Sequence, residues 1–278
     1  MSNLIESNLN AKNLSPEELP AWKAGREKFR TTDIAERIAL AGATSTNLAK
    51  LVDIKTGEFG EAVPVTERIQ NAKTLYQWVQ EHKAELTAGL KKPFLTKMIY
   101  ALTDGLIGLH AVDVVHRDVN PTNYLFSETT DISDSIVLSD FDIAQINGES
   151  NVDFGLGIGT PGYVPNDQIL SKWIVYPSMD QFSLALTLIF LLTGGSIDPS
   201  NTDIAQTEII NEGYWQIAGK YNKEIANVLA KASKLAPEEM TRANYFRRGM
   251  LPKDDTSRYE SIMLFRDELL SAIDKLPA

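Results

Sequence analysis

The 278-residue sequence predicts an α+β fold, with a small mixed front part followed by a mainly helical part. Three observations carry that expectation. Apolar residues recur at helical spacing in long stretches, such as Trp22, Phe29, Ile34, Ile38 and Ala41, and again across 93–110. Short β-prone runs, 48–54 and 61–69, flank the turn-like Lys55-Thr56-Gly57-Glu58 and read as a hairpin. Strands and helices do not alternate along the chain, which excludes a doubly wound parallel sheet.

Each element follows from local chemistry. Ser15-Pro16-Glu17-Glu18 offers a helix start, with Ser before Pro and acids in the first turn. The helix that follows is expected to break near Thr31-Thr32 and to stop at Gly42. A short helix is expected over 74–82 and a longer amphipathic one over 93–110. Residues 124–126 and 136–139 read as short strands joined by the polar segment 127–135. Beyond the glycine-rich stretch 155–162, helices are expected over 164–171, 179–193, 206–217, 222–234 and 259–274. The apolar run from Leu184 to Thr193 is interrupted by Thr187 and is too short to span a bilayer, so it reads as a buried helix.

Composition narrows the function classes. The length suits one large domain or two small lobes. Cysteine is absent, which excludes disulfides and thiolate metal sites and fits a reducing compartment, the cytoplasm. The first residues lack the basic and apolar regions of a signal peptide. A net charge of -10 argues against nucleic-acid or anionic-membrane partners.

Four blocks carry the chemistry. His116-Arg117-Asp118-Val119-Asn120-Pro121-Thr122-Asn123 reads H-R-D-x-x-x-x-N. Asp140-Phe141-Asp142, Gly159-Thr160-Pro161-Gly162-Tyr163 and Met179-Asp180-Gln181-Phe182-Ser183-Leu184 follow. In this order and spacing they resemble the eukaryotic-like Ser/Thr protein kinase family over about residues 33–270. The resemblance implies a kinase-like α+β fold, with a reduced N-lobe over 1–70 (helix C and a hairpin) and a helical C-lobe over 71–278. It also implies transfer of the γ-phosphate of ATP to a protein hydroxyl, with magnesium as cofactor and a protein substrate or regulatory protein as partner.

The resemblance implies roles residue by residue. Asp118 accepts or orients the substrate hydroxyl. Asn123 and Asp140 are the metal ligands, Asp140 across the phosphates, because hard oxygen donors suit magnesium. Leu125 floors the adenine pocket, and Glu67 and Ile69 border it. Counting back from Asn47-Leu48-Ala49-Lys50-Leu51 puts Glu36 at the helix-C glutamate, with Lys12 as a weak match for its lysine partner. His116 is packed scaffold rather than a base. Arg117 either meets a phosphate on the activation segment or pairs with acids, Glu149 and Asp153 being internal substitutes for that phosphate. Ser150 is the one side-chain hydroxyl between Asp142 and Gly159. Asp180 holds the catalytic-loop backbone, and Asp167 pairs with Arg258.

Three departures bear on activity. No G-x-G-x-x-G precedes Asp118, and Gly57-Glu58-Phe59-Gly60 is too short and falls after the helix-C position. Asn120 stands where the family carries a phosphate-facing lysine. Asp142 replaces a glycine, whose backbone freedom most residues lack. Three readings follow: a minimal protein kinase, a slow or inactive pseudokinase that scaffolds a partner, and a related fold doing other ATP chemistry such as nucleotidyl transfer.

Overall fold

The structure is a computed structural model that describes residues 19–56, 62–128, 131–148, 159–170, 175–201, 203, 205–234 and 258–277. Its first element, α1 (Leu19–Thr44), runs unbroken through Thr31-Thr32 and past Gly42, which corrects both the expected break and the expected stop. Two β-branched residues lower helix propensity only slightly, and tertiary packing outweighs it. Ile34, Ala35, Ile38 and Ala41 are buried on the face that meets α4 (Lys92–Ala111). Gly42 has no positive φ, so it is an ordinary helical residue rather than a cap. The Ser15-Pro16 start lies outside the described residues.

The hairpin is present as β1 (Leu51–Thr56) and β2 (Ala62–Thr66), antiparallel, with Thr56 opposite Ala62. Lys55 and Thr56 therefore belong to the strand rather than to the turn. Among the described residues of the front part, α1 and this hairpin are the regular elements.

A second sheet has the order β3-β5-β6, with β3 (Ala72–Thr74), β5 (Tyr124–Ser127) and β6 (Val137–Leu138). A third pairs β4 (Val114–Val115) with β7 (Gln145–Ile146). The chain leaving α1 joins the second sheet. Asn47 O accepts from Leu138 N at 2.9 Å, Ala49 N donates to Leu138 O at 2.8 Å, and the Asn47 side chain donates to Ile136 O at 2.8 Å. This approach needs Gly105 on α4, where a Cβ would lie 2.5 Å from Asn47 O.

The rest is helical: α2 (Leu75–Glu81), α3 (Lys83–Ala88), α5 (Ile132–Ser135), α6 (Asn166–Leu170), α7 (Pro177–Leu192), α8 (Gln206–Lys220), α9 (Lys223–Ala232) and α10 (Ile262–Asp274). Thr74 and Gln77 form a capping box at the start of α2. Asn222 and Ser261 cap α9 and α10 through Ile225 N and Leu264 N. Every residue of α7 from Ser178 onward is buried: the run from Leu184 is apolar but for Thr187, and the polar side chains of the first turns, such as Asp180 and Gln181, hydrogen-bond within the lobe. It packs on α8, α9 and α10 and so forms the axis of the helical lobe. Leu102, Leu106 and Leu109 of α4 are also fully buried, each stabilising by roughly 1.5–3 kcal/mol relative to exposure. No helix among the described residues is long and apolar enough to cross a membrane.

Candidate active site

The site is built on the carboxylate of Asp180, fully buried in the first turn of α7. Its Oδ2 accepts from His116 N at 2.9 Å and from His110 Nε2 at 2.8 Å, and its Oδ1 accepts from Arg117 N at 2.8 Å. Two consecutive backbone N–H groups can converge on one carboxylate because Arg117 takes a left-handed conformation, φ 70°. Such a residue costs on the order of 1–3 kcal/mol and persists where its surroundings over-determine it. Gln168 of α6 adds a bond to Arg117 O at 2.8 Å. The expected role of Asp180 as anchor of this loop is what the geometry shows.

His116 joins the loop to the segment that carries Asp140. Its Nδ1 accepts from Asp118 N at 3.2 Å, so the proton sits on Nε2, which donates to Ser139 O at 2.9 Å. The ring is fully buried and meets Phe141 edge-on, with centroids 5.5 Å apart. It is scaffold, as expected.

Asp118 is held from two sides. Asn123 Nδ2 donates to Asp118 Oδ2 and to Asp118 O, both at 2.8 Å. Thr160 donates its N–H and its hydroxyl to Asp118 Oδ1, both at 2.7 Å. Each carboxylate oxygen has two lone pairs. Among the described residues, Thr160 fills Oδ1, and Oδ2 keeps one lone pair for a further donor. Ser139 N and Oγ both bond Asn123 O at 2.9 Å, so the residue before Asp140 is fixed to Asn123.

The sequence gives no sign of the part played by Asn120. It is fully buried, and its Nδ2 donates to Asp118 O at 3.0 Å and to Thr160 Oγ1 at 2.9 Å. Its Oδ1 accepts from Thr122 N at 2.8 Å and from the Thr122 hydroxyl. Asn120 is thus a brace behind Asp118 and Thr160, not a group facing phosphates. The Thr160 contact is the other one missed. A G-T-P block marks the segment, but nothing in it says where the hydroxyl lands.

Asp140 is exposed, and no donor bonds its carboxylate among the described residues. It too is left-handed, φ 66°, whereas Asp142 is not, so the replacement of glycine at 142 strains no backbone. Asp142 is exposed as a residue, yet its carboxyl is pushed above its ordinary range, by partial desolvation first and by the Asp140 charge second. The donor set suits magnesium: the Asp140 carboxylate, and Asn123 Oδ1, which has no donor among the described residues. No cluster of three His, Cys, Asp or Glu gathers for a metal among those residues. Magnesium does not require one, since it binds through one or two carboxylates plus substrate phosphates.

The remaining expected residues are more dispersed. Leu125 sits half-buried on β5, between Thr74 of β3 and Val137 of β6. Ile69 is half-buried and Glu67 exposed just after β2, with Glu67 N donating to Lys50 O at 2.7 Å. Glu36 is exposed on α1 and makes no ion pair with another described side chain. Lys12, Glu149, Ser150 and Asp153 lie outside the described residues. Asp167 and Arg258 do form the expected buried pair, Nη2 to Oδ1 at 2.7 Å and Nη1 to Oδ2 at 3.2 Å.

A helical lobe, a loop clamped by a buried aspartate and an Asp–Asn–Asp constellation define a protein kinase-like fold and site. Residues 19–269 match the family model of the protein kinase domain, and the chain belongs to that family. It is 30% identical over 198 residues to the serine/threonine-protein kinase PknA of Nostoc sp., covering 66% of this chain and 34% of that protein. It is 29% identical to serine/threonine-protein kinase C of Synechocystis sp., covering 47% of this chain and 24% of that one. The matches thus span about a third or less of these relatives' length. The kinase domain of Mycobacterium tuberculosis PknI superposes with a TM-score of 0.55 at 18% identity, covering 87% of this chain and 79% of that one.

Proposed function

We propose that this chain is an ATP-dependent phosphotransferase that moves the γ-phosphate to a Ser or Thr hydroxyl of a protein. The observation that supports it most is the state of Asp118: braced by Asn123 and Thr160, with one Oδ2 lone pair left for a donor among the described residues. In this reading a substrate hydroxyl donates to that lone pair, and Asp118 orients it and receives its proton as the bond to phosphorus forms. Asp140 and Asn123 would hold magnesium, which supplies charge neutralisation across the phosphates when bound. Leu125, Ile69 and Glu67 border the nucleotide, with Glu36 and Lys12 as the front-lobe pair, and the lobes divide near residue 70. A reducing cytoplasm fits the cysteine-free sequence.

Asn120 favours a second reading, a slow or inactive pseudokinase that regulates a partner. Its amide is fully committed to the loop, so no cation from this position meets the phosphates. Losing one placed electrostatic donor costs about 2.7–4 kcal/mol of transition-state stabilisation. The test is calorimetric titration with ATP and magnesium, followed by mass spectrometry for phosphate on the chain and on added proteins. Binding with magnesium-dependent phosphate transfer, lost in Asp118→Asn, supports the enzyme. Binding without transfer supports the pseudokinase.

A further inference from the structure

On the face of β5 opposite Leu125 lies a groove of about 800 Å³ between α2, α3, the start of α4 and α5. Side chains alternate along a strand, so Phe126 turns to this groove while Leu125 turns away. Aromatic side chains form one wall of the groove, beside aliphatic ones such as Leu90. Trp78 stacks on His82 with centroids 4.6 Å apart and on Phe94 at 5.9 Å, and Phe126 completes the wall. Trp78, His82 and Phe94 are each half-buried, so part of this aromatic stack reaches the groove.

Carboxylates rim this surface. Glu81 and Glu128 share Lys73, whose ammonium is held above its usual pKa by Glu128 first and Glu81 second. That triad still carries one net negative charge. Asp131 is kept ionised, its pKa lowered chiefly by hydrogen bonds from Ser133. Glu85 is exposed and forms no ion pair among the described residues. Against these stand Lys91 and, acting on Asp131, Lys97, which leaves the rim net negative by about one charge. An aromatic platform inside a net-negative rim is complementary to cationic groups on apolar stems, which gain both cation–π and charge attraction.

We propose that this groove is a docking site for a basic segment of another protein, in which an arginine or lysine lies against the Trp78–His82 stack near Glu85 and an adjacent apolar side chain packs against Phe94. This binding is independent of phosphoryl transfer, so it stands or falls apart from the catalytic reading.

The test uses the full chain and fluorescein-labelled ten-residue peptides, each with two arginines and a leucine at varied spacing, followed by anisotropy. At least one is expected to bind, with affinity falling as salt is raised, because the rim charges are exposed. Glu85→Lys should weaken binding about tenfold or more, through reversal of a charge at the contact. Glu212→Lys on α8, the same charge change elsewhere, should leave it within about twofold. Trp78→Ala should abolish binding. Trp78 also packs against the core, so the Glu85 variant carries the test if that protein fails to fold. Two results would overturn the proposal: no binding by any arginine–leucine peptide, or equal affinity in parent and Glu85→Lys. Light scattering that showed a dimer broken by Glu85→Lys would overturn it as well, since the occupant would then be a second copy of this chain.

Discussion

Thr160 donates both its backbone N–H and its hydroxyl to one oxygen of Asp118, and it does so across 42 residues of chain. The hydroxyl in turn accepts from Asn120, so the brace is a relay of side chains rather than one bond. Thr160→Val keeps the size and the N–H but deletes the relay. Asp118 should lose its orientation, and phosphate transfer should fall about 10²-fold with nucleotide affinity unchanged. Thr160→Ser should restore most of it. Steady-state kinetics with a radiolabelled phosphate donor separate the two effects, and an unchanged rate in Thr160→Val would show that the relay does not position Asp118.

Asp140 and Asp118 should divide the labour. Asp140→Asn is expected to remove the magnesium dependence of nucleotide binding, because in the proposed function the exposed carboxylate is the charged ligand. Asp118→Asn should bind nucleotide as the parent does and transfer phosphate at least about 10²-fold more slowly. Calorimetry and a radiolabel assay read these directly. Transfer at the parent rate in Asp118→Asn would rule out the role given to it.

Asp142 gives a pH signature. Its raised pKa, from partial desolvation and then from the Asp140 charge, means the folded chain holds that proton more tightly than the unfolded chain. This group's favourable contribution is complete below the ordinary aspartate pKa and is lost as pH rises through the folded value. At neutral pH the ionised carboxylate therefore opposes folding. Asp142→Asn should melt higher than the parent at about pH 7 in magnesium-free buffer, and the gap should close below about pH 3.9. A gap that stays constant with pH would contradict this account.

The Asp167–Arg258 pair is buried, and Arg258 also donates to Ser178 O at 3.0 Å and to Lys234 O at 2.8 Å. Each alanine substitution leaves a buried charge behind, at a cost of about 3–5 kcal/mol. Arg258→Ala should be the worse of the two, since two carbonyls lose their donor as well. The double variant should cost less than the sum. Denaturant melts of the four proteins test this, and strict additivity would count against it.

Gly105→Ala is expected to destabilise the chain by about 1–3 kcal/mol. The new methyl would lie 2.5 Å from Asn47 O, a backbone atom with little room to yield. Melts at equal protein concentration check it.

What was legible in the sequence were patterns with a period or a motif. The spacing over 93–110 gave α4 to within a residue at either end, and the largely apolar run from Leu184 gave the body of α7. The contacts of the loop from His116 to Asn123 with Asp180 were implied by the family that its motif resembles. What was missed has no periodic signature. Ala72-Lys73-Thr74 is too short to alternate, yet it becomes a strand because Phe126 and Leu125 offer it a partner edge. The break expected at Thr31-Thr32 weighed local propensity without the α4 surface that overrides it. Asn120 reads as a lost lysine, and its three partners appear only once Thr160 has folded back across the loop.

The stitching of Asn47 and Ala49 onto Leu138 has a mechanical consequence. Asp140 follows Leu138 by two residues, so the chain leaving α1 and the chain entering the carboxylate are neighbouring strings on one frame. Only Ser45 and Thr46 separate the front helix from that hydrogen-bonded backbone, so little chain is left to absorb a torque on it. The front helix is therefore a short-armed crank on Asp140 rather than a hinged flap above it.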